Sequence, residues 1–154
     1  MRFIFRQAAV LLLPPVLLFA AALAEQSSSV LGDWHTPAGS VIRAEPCGSM
    51  VCLRVEELPP DAPASDDIHD PDPALRSRPL CGLVIGRGFT LSNAARATGG
   101  TIYDPKTGKT YHGEMTAEGT KLHLRGYIGI PLFGASQTWT RLTSPVEQCR
   151  AAGQ

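Results

Sequence analysis

The chain has 154 residues, 44% of them hydrophobic, with 14 basic and 14 acidic side chains and a formal net charge of zero. That length suits one domain with one core and is short for two. Lys106, Lys109, Lys121 and Arg125 are scattered among acids, without the basic stripe of a nucleic-acid binder, so no nucleic-acid partner is expected.

Met1 to Arg6 carries two positive charges and no acid, and it runs into an uncharged apolar stretch from Ala8 to Leu23. These are the n-region and h-region of a secretory signal. Ala22-Leu23-Ala24 supplies the small-x-small triplet that signal peptidase needs, which predicts cleavage after Ala24 and a mature chain from Glu25. A retained transmembrane anchor fits less well, because the run is short for a bilayer span of about 20 residues and Pro14-Pro15 interrupts it. No Cys follows the triplet, so no lipid anchor is expected. Cleavage removes Arg2 and Arg6, leaving 12 basic side chains against 14 acidic ones in residues 25–154. The expected address is the periplasm or the extracellular space.

Cys47, Cys52, Cys81 and Cys149 all fall in the expected mature part, an even number suited to disulfides in an oxidising compartment. Cys47 and Cys52 flank Gly-Ser-Met-Val and can close a local bridge, which leaves Cys81 to join Cys149. Spacing alone does not choose among the pairings. Cys-x4-Cys without a second tight pair is poor spacing for zinc, and no metal is expected.

No mature segment shows a sustained 3.6-residue apolar period, and Gly and Pro recur too often for long helices. Short β-type runs are predicted at 30–36, 40–44, 50–57, 80–86, 98–103, 110–116, 121–127 and 136–142. Val51, Leu53 and Val55 alternate with Cys52, Arg54 and Glu56, and Leu122 and Leu124 with Lys121, His123 and Arg125. Turn sequences separate the runs at Pro37-Ala38-Gly39, Cys47-Gly48-Ser49, Asp104 to Gly108 and Glu118-Gly119. About eight strands in a meander make a sandwich or an up-and-down barrel, and closure is favoured because it removes exposed edges.

One segment breaks this rhythm. From Leu58 to Pro79 the chain carries Pro59, Pro60, Pro63, Pro71, Pro73 and Pro79 with Asp61, Asp66, Asp67, Asp70 and Asp72, which excludes helix interior and central strand. The aspartates do not match a calcium loop and read as a solvated charge run. Arg76 and Arg78, flanked by Leu75, Pro79 and Leu80, are drawn against the barrel, where a planar fork can hold a carboxylate or phosphate or pair with the nearby aspartates.

Five blocks occur in order: Gly32-x-Trp34; Asp72-Pro73-x-Leu75-Arg76-x-Arg78-Pro79-Leu80-x-Gly82; Gly100-x-Ile102-Tyr103-Asp104-Pro105-x-x-Gly108-Lys109-x-Tyr111; Leu124-Arg125-Gly126; and Gln137-Thr138-Trp139-Thr140-Arg141. Together they resemble the bacterial exported domain-of-unknown-function family 2147, over about Leu31 to Leu142. The resemblance implies a lipocalin-like, calycin-type β-barrel and brings no established activity. In such barrels an early Gly-x-Trp sets an indole across the closed end, where an Arg from the last strand stacks on it, and Trp34 and Arg141 are placed to do so. Such a stack contributes roughly 0.5–2 kcal/mol. Asp104, Pro105 and Gly108 read as turn formers, with Lys109 and Tyr111 as the polar handles of a ligand-contacting alternative.

Catalytic signatures are absent: no His-Glu-x-x-His helix, no Gly-x-Ser-x-Gly elbow, no phosphate-cradling loop and no Cys-x-x-Cys pair. His112, Glu114 and His123 are the sole candidate acid/base or ligand group, and solvent-facing polar residues are the commoner reading. The leading expectation is a non-enzymatic, cofactor-free barrel that binds an apolar or amphiphilic small molecule in its mouth, with the Pro-rich segment as a lid. The alternative is an envelope structural or interaction module with a filled barrel.

Overall fold

The structure is a computed structural model that describes residues 28–144 and 146. The expected signal segment and Cys149 lie outside the described residues. Eight antiparallel strands close into one barrel: β1 (Gly32–His35), β2 (Val41–Cys47), β3 (Met50–Glu57), β4 (Val84–Asn93), β5 (Arg96–Asp104), β6 (Lys109–Glu118), β7 (Lys121–Tyr127) and β8 (Ala135–Arg141). Each pairs with its neighbours in sequence, and β1 meets β8 with Trp34 opposite Arg141. This is the closed up-and-down barrel expected from the alternation. Val51, Leu53 and Val55 of β3 and Leu122 and Leu124 of β7 are buried, while Lys121 and His123 are exposed.

The fourth strand differs from its expected place at 80–86 and runs on to Asn93. Gly86-Arg87-Gly88 reads as a break in the sequence, yet in the barrel it is a bulge. Leu53 faces Gly86 and Val51 faces Phe89, so three steps along β4 answer two along β3. Gly88 permits this at φ +76°. The bulge aims Phe89 into the core, against Gly100 of β5, whose missing Cβ leaves room for the ring. The hairpin that follows went unmarked in the sequence, and Asn93 Oδ1 secures it by accepting from the Ala95 amide at 2.9 Å.

The two ends of the barrel are unlike. At one, residues 28–31 cross the opening: the Val30 amide donates to Ala94 O at 2.9 Å, and Ser28 Oγ accepts from the Gly119 amide at 2.9 Å. Trp34 is fully buried beneath them and donates its indole N–H to Val30 O at 2.8 Å. Arg141 lies 4.0 Å from the Trp34 ring centroid, with Nη1 donating to Leu31 O at 2.9 Å and Nη2 to Ser29 O. Burial lowers its pKa, which marks a guanidinium partly stripped of water. Gly32 has φ +128°, and a Cβ there would strike Arg141, so this position serves both the backbone and the stack. The Cys47–Cys52 disulfide, with Cα atoms 5.6 Å apart, ties the β2–β3 hairpin at the same end. Cys81 is disulfide-bonded too. The other end of the barrel is the mouth.

Candidate functional site

Four connections surround the mouth: residues 36–40 between β1 and β2, 58–83 between β3 and β4, 105–108 between β5 and β6, and 128–134 between β7 and β8. The longest is built in two halves. Its first half crosses the opening, and its second half returns along the outer face of β5. The return is held by a short antiparallel contact, with the Asp67 amide donating to Arg78 O at 3.0 Å and the Leu80 amide to Ser65 O at 2.9 Å.

Here the expectation of a solvated charge run is overturned for two of its aspartates, while Asp72 is exposed as expected. Asp67 is fully buried and Asp70 nearly so. Asp67 Oδ2 accepts from Arg78 Nε at 3.0 Å and Nη2 at 2.7 Å, and its Oδ1 accepts from the Tyr103 hydroxyl at 2.7 Å. Asp70 Oδ2 accepts from the same Nη2 at 2.7 Å, and the guanidinium carbon sits 5.5 Å from the Tyr103 ring centroid. The bond to Asp67 raises the Arg78 pKa. Burial, and then Asp67, pushes the Tyr103 phenol up to about 12. For Arg78 the expected alternative of pairing with nearby aspartates is the one observed, with one Arg satisfying two carboxylates at once. Asp72 caps a 3-10 turn at Pro73–Leu75 by accepting from the Ala74 amide at 2.9 Å.

Beneath the first half lies a cavity of about 430 Å³. Its walls are apolar, with Ile42 and Val55 from the barrel, Ile85 from β4, and Leu58, Ile68 and Leu80 from the covering segment. Polar groups are few and include His69, Lys106, Asp66 and Asp104. Asp104 is committed to its turn, accepting from the Lys106 amide at 3.0 Å and the Thr107 hydroxyl at 2.8 Å, while Gly108 takes φ +66° behind it. A second groove, of about 340 Å³, lies between the returning half and β4–β5, with Arg78, Arg87, Thr101 and Tyr103 in its walls.

The four side chains read as binding handles do not converge on the mouth cavity. Arg76 is exposed, with Nε donating to Asp70 O at 2.8 Å. Arg78 is spent on its aspartates, although it borders the outer groove. Lys109 is exposed where β6 begins, opposite Asp104, and Tyr111 is half-buried beside Gly126. Trp139 is buried opposite Leu122 and donates its indole N–H to Gln137 Oε1 at 3.0 Å. His112 and His123 are exposed and do not meet: His112 stacks on Tyr127 with ring centroids 5.7 Å apart, and His123 contacts Thr138 at 3.1 Å. Glu114 pairs with Arg96 at 3.2 Å.

Two features went unread in the sequence. The first is Glu56, fully buried on the outer side of β3, 3.4 Å from Arg43 Nη1 and without a hydrogen bond to either carboxylate oxygen. Burial raises its pKa, only partly countered by Arg43, which is already bidentate on Asp33 at 2.7 and 3.1 Å. The second is the connection Ile128-Gly-Ile-Pro-Leu-Phe-Gly134, where Ile128, Ile130, Leu132 and Phe133 are 65%, 54%, 76% and 78% exposed. Arg125 braces it from below, with Nε donating to Pro131 O at 2.9 Å. An apolar run in place of a polar turn was the signal to find it.

Comparison with known proteins bears on family and fold. The family described as "Uncharacterized protein conserved in bacteria (DUF2147)" matches residues 32–141. The chain belongs to that family, as its motif blocks indicated. A solved structure from Helicobacter pylori, titled "Protein HP1028 from the human pathogen Helicobacter pylori belongs to the lipocalin family", superposes with a TM-score of 0.70 at 21% identity, covering 76% of this chain and 85% of that one. At that identity the likeness establishes the lipocalin-like fold. No curated protein matches the chain.

Proposed function

We propose that this member of the DUF2147 family is an exported, non-enzymatic carrier that takes an apolar or amphiphilic small molecule into the mouth of its barrel. The observation that carries the reading is the apolar cavity of about 430 Å³ beneath residues 58–69, within the roughly 300–1,000 Å³ usual for small-molecule sites. Its walls offer desolvation to a hydrocarbon body. Lys106 and His69 stand among its few polar groups as donors for an acidic head. The first half of the covering segment is the lid, and the Asp67–Arg78–Tyr103 anchor is the fixed point about which it lifts.

Export is supported by the charged start, the apolar run and the Ala22-Leu23-Ala24 triplet, together with cysteines held as disulfides. The non-enzymatic reading rests on His112, Glu114 and His123, the acid/base candidates of the sequence, which stand apart and do not line the cavity.

Native mass spectrometry of the purified protein, beside a denatured control, tests the carrier reading. The expected result is a co-purifying mass that is lost on denaturation and absent from Ala62→Trp, which fills the cavity from the lid. A clean unliganded mass in repeated preparations, with no uptake of a fluorescent fatty acid, would overturn it.

A further inference from the structure

The connection between β7 and β8 does nothing visible for the fold. Ile128, Ile130, Leu132 and Phe133 point their surface into solvent, and Phe133 and Leu132 are the most exposed large apolar side chains among the described residues. Water contact of this extent at four positions of one short hairpin is unfavourable unless something covers it. The tip's backbone is tied to β7 by Arg125, which donates to Pro131 O, so the four apolar side chains are presented on a braced turn.

Charge around the rim indicates what the cover is. From the β5–β6 turn through β8 to the β1–β2 turn, the mouth-side residues 104–112, 125–137 and 35–40 include Lys106, Lys109, Arg125, His35 and His112 against one acid, Asp104, which is committed to its own turn. On the opposite side, residues 57–83 hold Glu57, Asp61, Asp66 and Asp72 against Arg76, besides the buried Asp67 and Asp70 that share Arg78. The mouth is therefore divided into an apolar, basic side and an acidic side. An apolar tip on the basic side of the rim is complementary to a bilayer surface bearing anionic headgroups, where side chains enter the interface and cations meet phosphate.

We infer that the 128–133 tip docks the barrel on an anionic lipid surface, inserting Ile128, Ile130, Leu132 and Phe133 into the headgroup boundary with Lys109 and Arg125 above it. The acidic segment then faces away from the membrane. This inference does not depend on the cavity holding a ligand.

The test is partitioning of the purified protein, with its N-terminus in the state the cell leaves it, onto vesicles of phosphatidylethanolamine and phosphatidylglycerol. Vesicles of phosphatidylcholine serve as the neutral control. The anionic vesicles are expected to bind at least tenfold more tightly and to lose about tenfold or more with Leu132→Ser/Phe133→Ser. Lys109→Gln is expected to cost about fivefold. Phe133→Trp adds an emission that shifts to the blue and is quenched by brominated lipid, a readout that a merely structural role would not move. Wild type and the double serine variant binding anionic vesicles equally would overturn the inference. So would an added indole emission in Phe133→Trp that is indifferent to lipid, or tip-dependent association with a protein while vesicles are ignored.

Discussion

Two connections flank the same barrel mouth and invert what their compositions suggest. Residues 58–79 are crowded with Pro and Asp, yet Asp67 and Asp70 are buried and bonded. Residues 128–133 are mostly apolar, yet their four large side chains stand in water. Burial follows from whether partners lie within reach, not from polarity alone. Arg78 and Tyr103 reach Asp67 with three hydrogen bonds, which offsets the cost of desolvating its charge. Nothing comparable reaches Leu132. Breaking the anchor is the strongest test of this contrast. Asp67→Ala leaves Arg78 and Tyr103 without their shared acceptor and should lower unfolding stability by about 3 kcal/mol in urea titration. Proteases should then cut within 58–79 in a still-folded barrel, so continued resistance there would mean that packing, not the ion pair, holds the segment.

A smaller change acts on the same anchor. Tyr103→Phe removes one hydrogen bond to a buried carboxylate and should cost about 1.5 kcal/mol. The wild-type phenol adds a pH signature. Its folded pKa is raised to about 12, so the neutral form is favoured by folding. The stability it contributes is present in full below its ordinary range near 10 and is lost as pH rises through about 12. Asp67→Asn should bring the spectrophotometric titration of Tyr103 down toward the ordinary range. A titration that stays put would assign the shift to burial alone.

How far the sequence carried this picture depends on range. Period-two alternation marked the strands because it is a local consequence of one face being buried, and Val51-x-Leu53-x-Val55 shows it plainly. The family blocks placed Trp34 beside Arg141 across more than a hundred residues, which no local rule could do. What remained illegible needed three dimensions. The Gly88 bulge looks like a break until β3 is laid beside it. A pairing of Arg78 with nearby aspartates could be read, but not that Asp67 is the buried one or that Tyr103 joins it. The mouth cavity is bounded by residues from β2, β3, β4 and the covering segment, and it reaches the Asp104–Lys106 turn of the block read as a ligand-contacting alternative, but not that block's Lys109 and Tyr111. The exposed tip is a different case, since it went unread although Ile-Gly-Ile-Pro-Leu-Phe between two strands departs from the ordinarily polar turn.

Glu56 sharpens the contrast from the other direction, as a buried acid on the strand that leads into the anchored segment but without Asp67's hydrogen bonds. Its folded pKa is raised, so the stability it contributes is present below the ordinary carboxylate range and is lost as pH rises through its folded value. Glu56→Gln should therefore stabilise the protein at neutral pH by about 1 kcal/mol. The gain should shrink as pH falls, which denaturation midpoints at several pH values would show. A gain that is constant with pH would mean that Glu56 is fully compensated by Arg43.

The smallest expected effect on folding belongs to the tip, and its smallness is informative. A core Leu or Phe truncation costs about 2–5 kcal/mol because apolar area is lost and a cavity is left behind. Leu132 and Phe133 are 76% and 78% exposed, so Leu132→Ser/Phe133→Ser removes little buried area and leaves no cavity. Its stability should lie within about 0.5 kcal/mol of wild type, with an unchanged denaturant slope. Solubility should rise, because the largest exposed apolar side chains of the described residues are gone. A loss of more than about 2 kcal/mol would show that the tip packs onto the fold in solution, and would remove the contrast between the two connections. A near-zero change would leave these side chains with no role in folding, so that the cost of keeping them in water is met only by what they contact outside the chain.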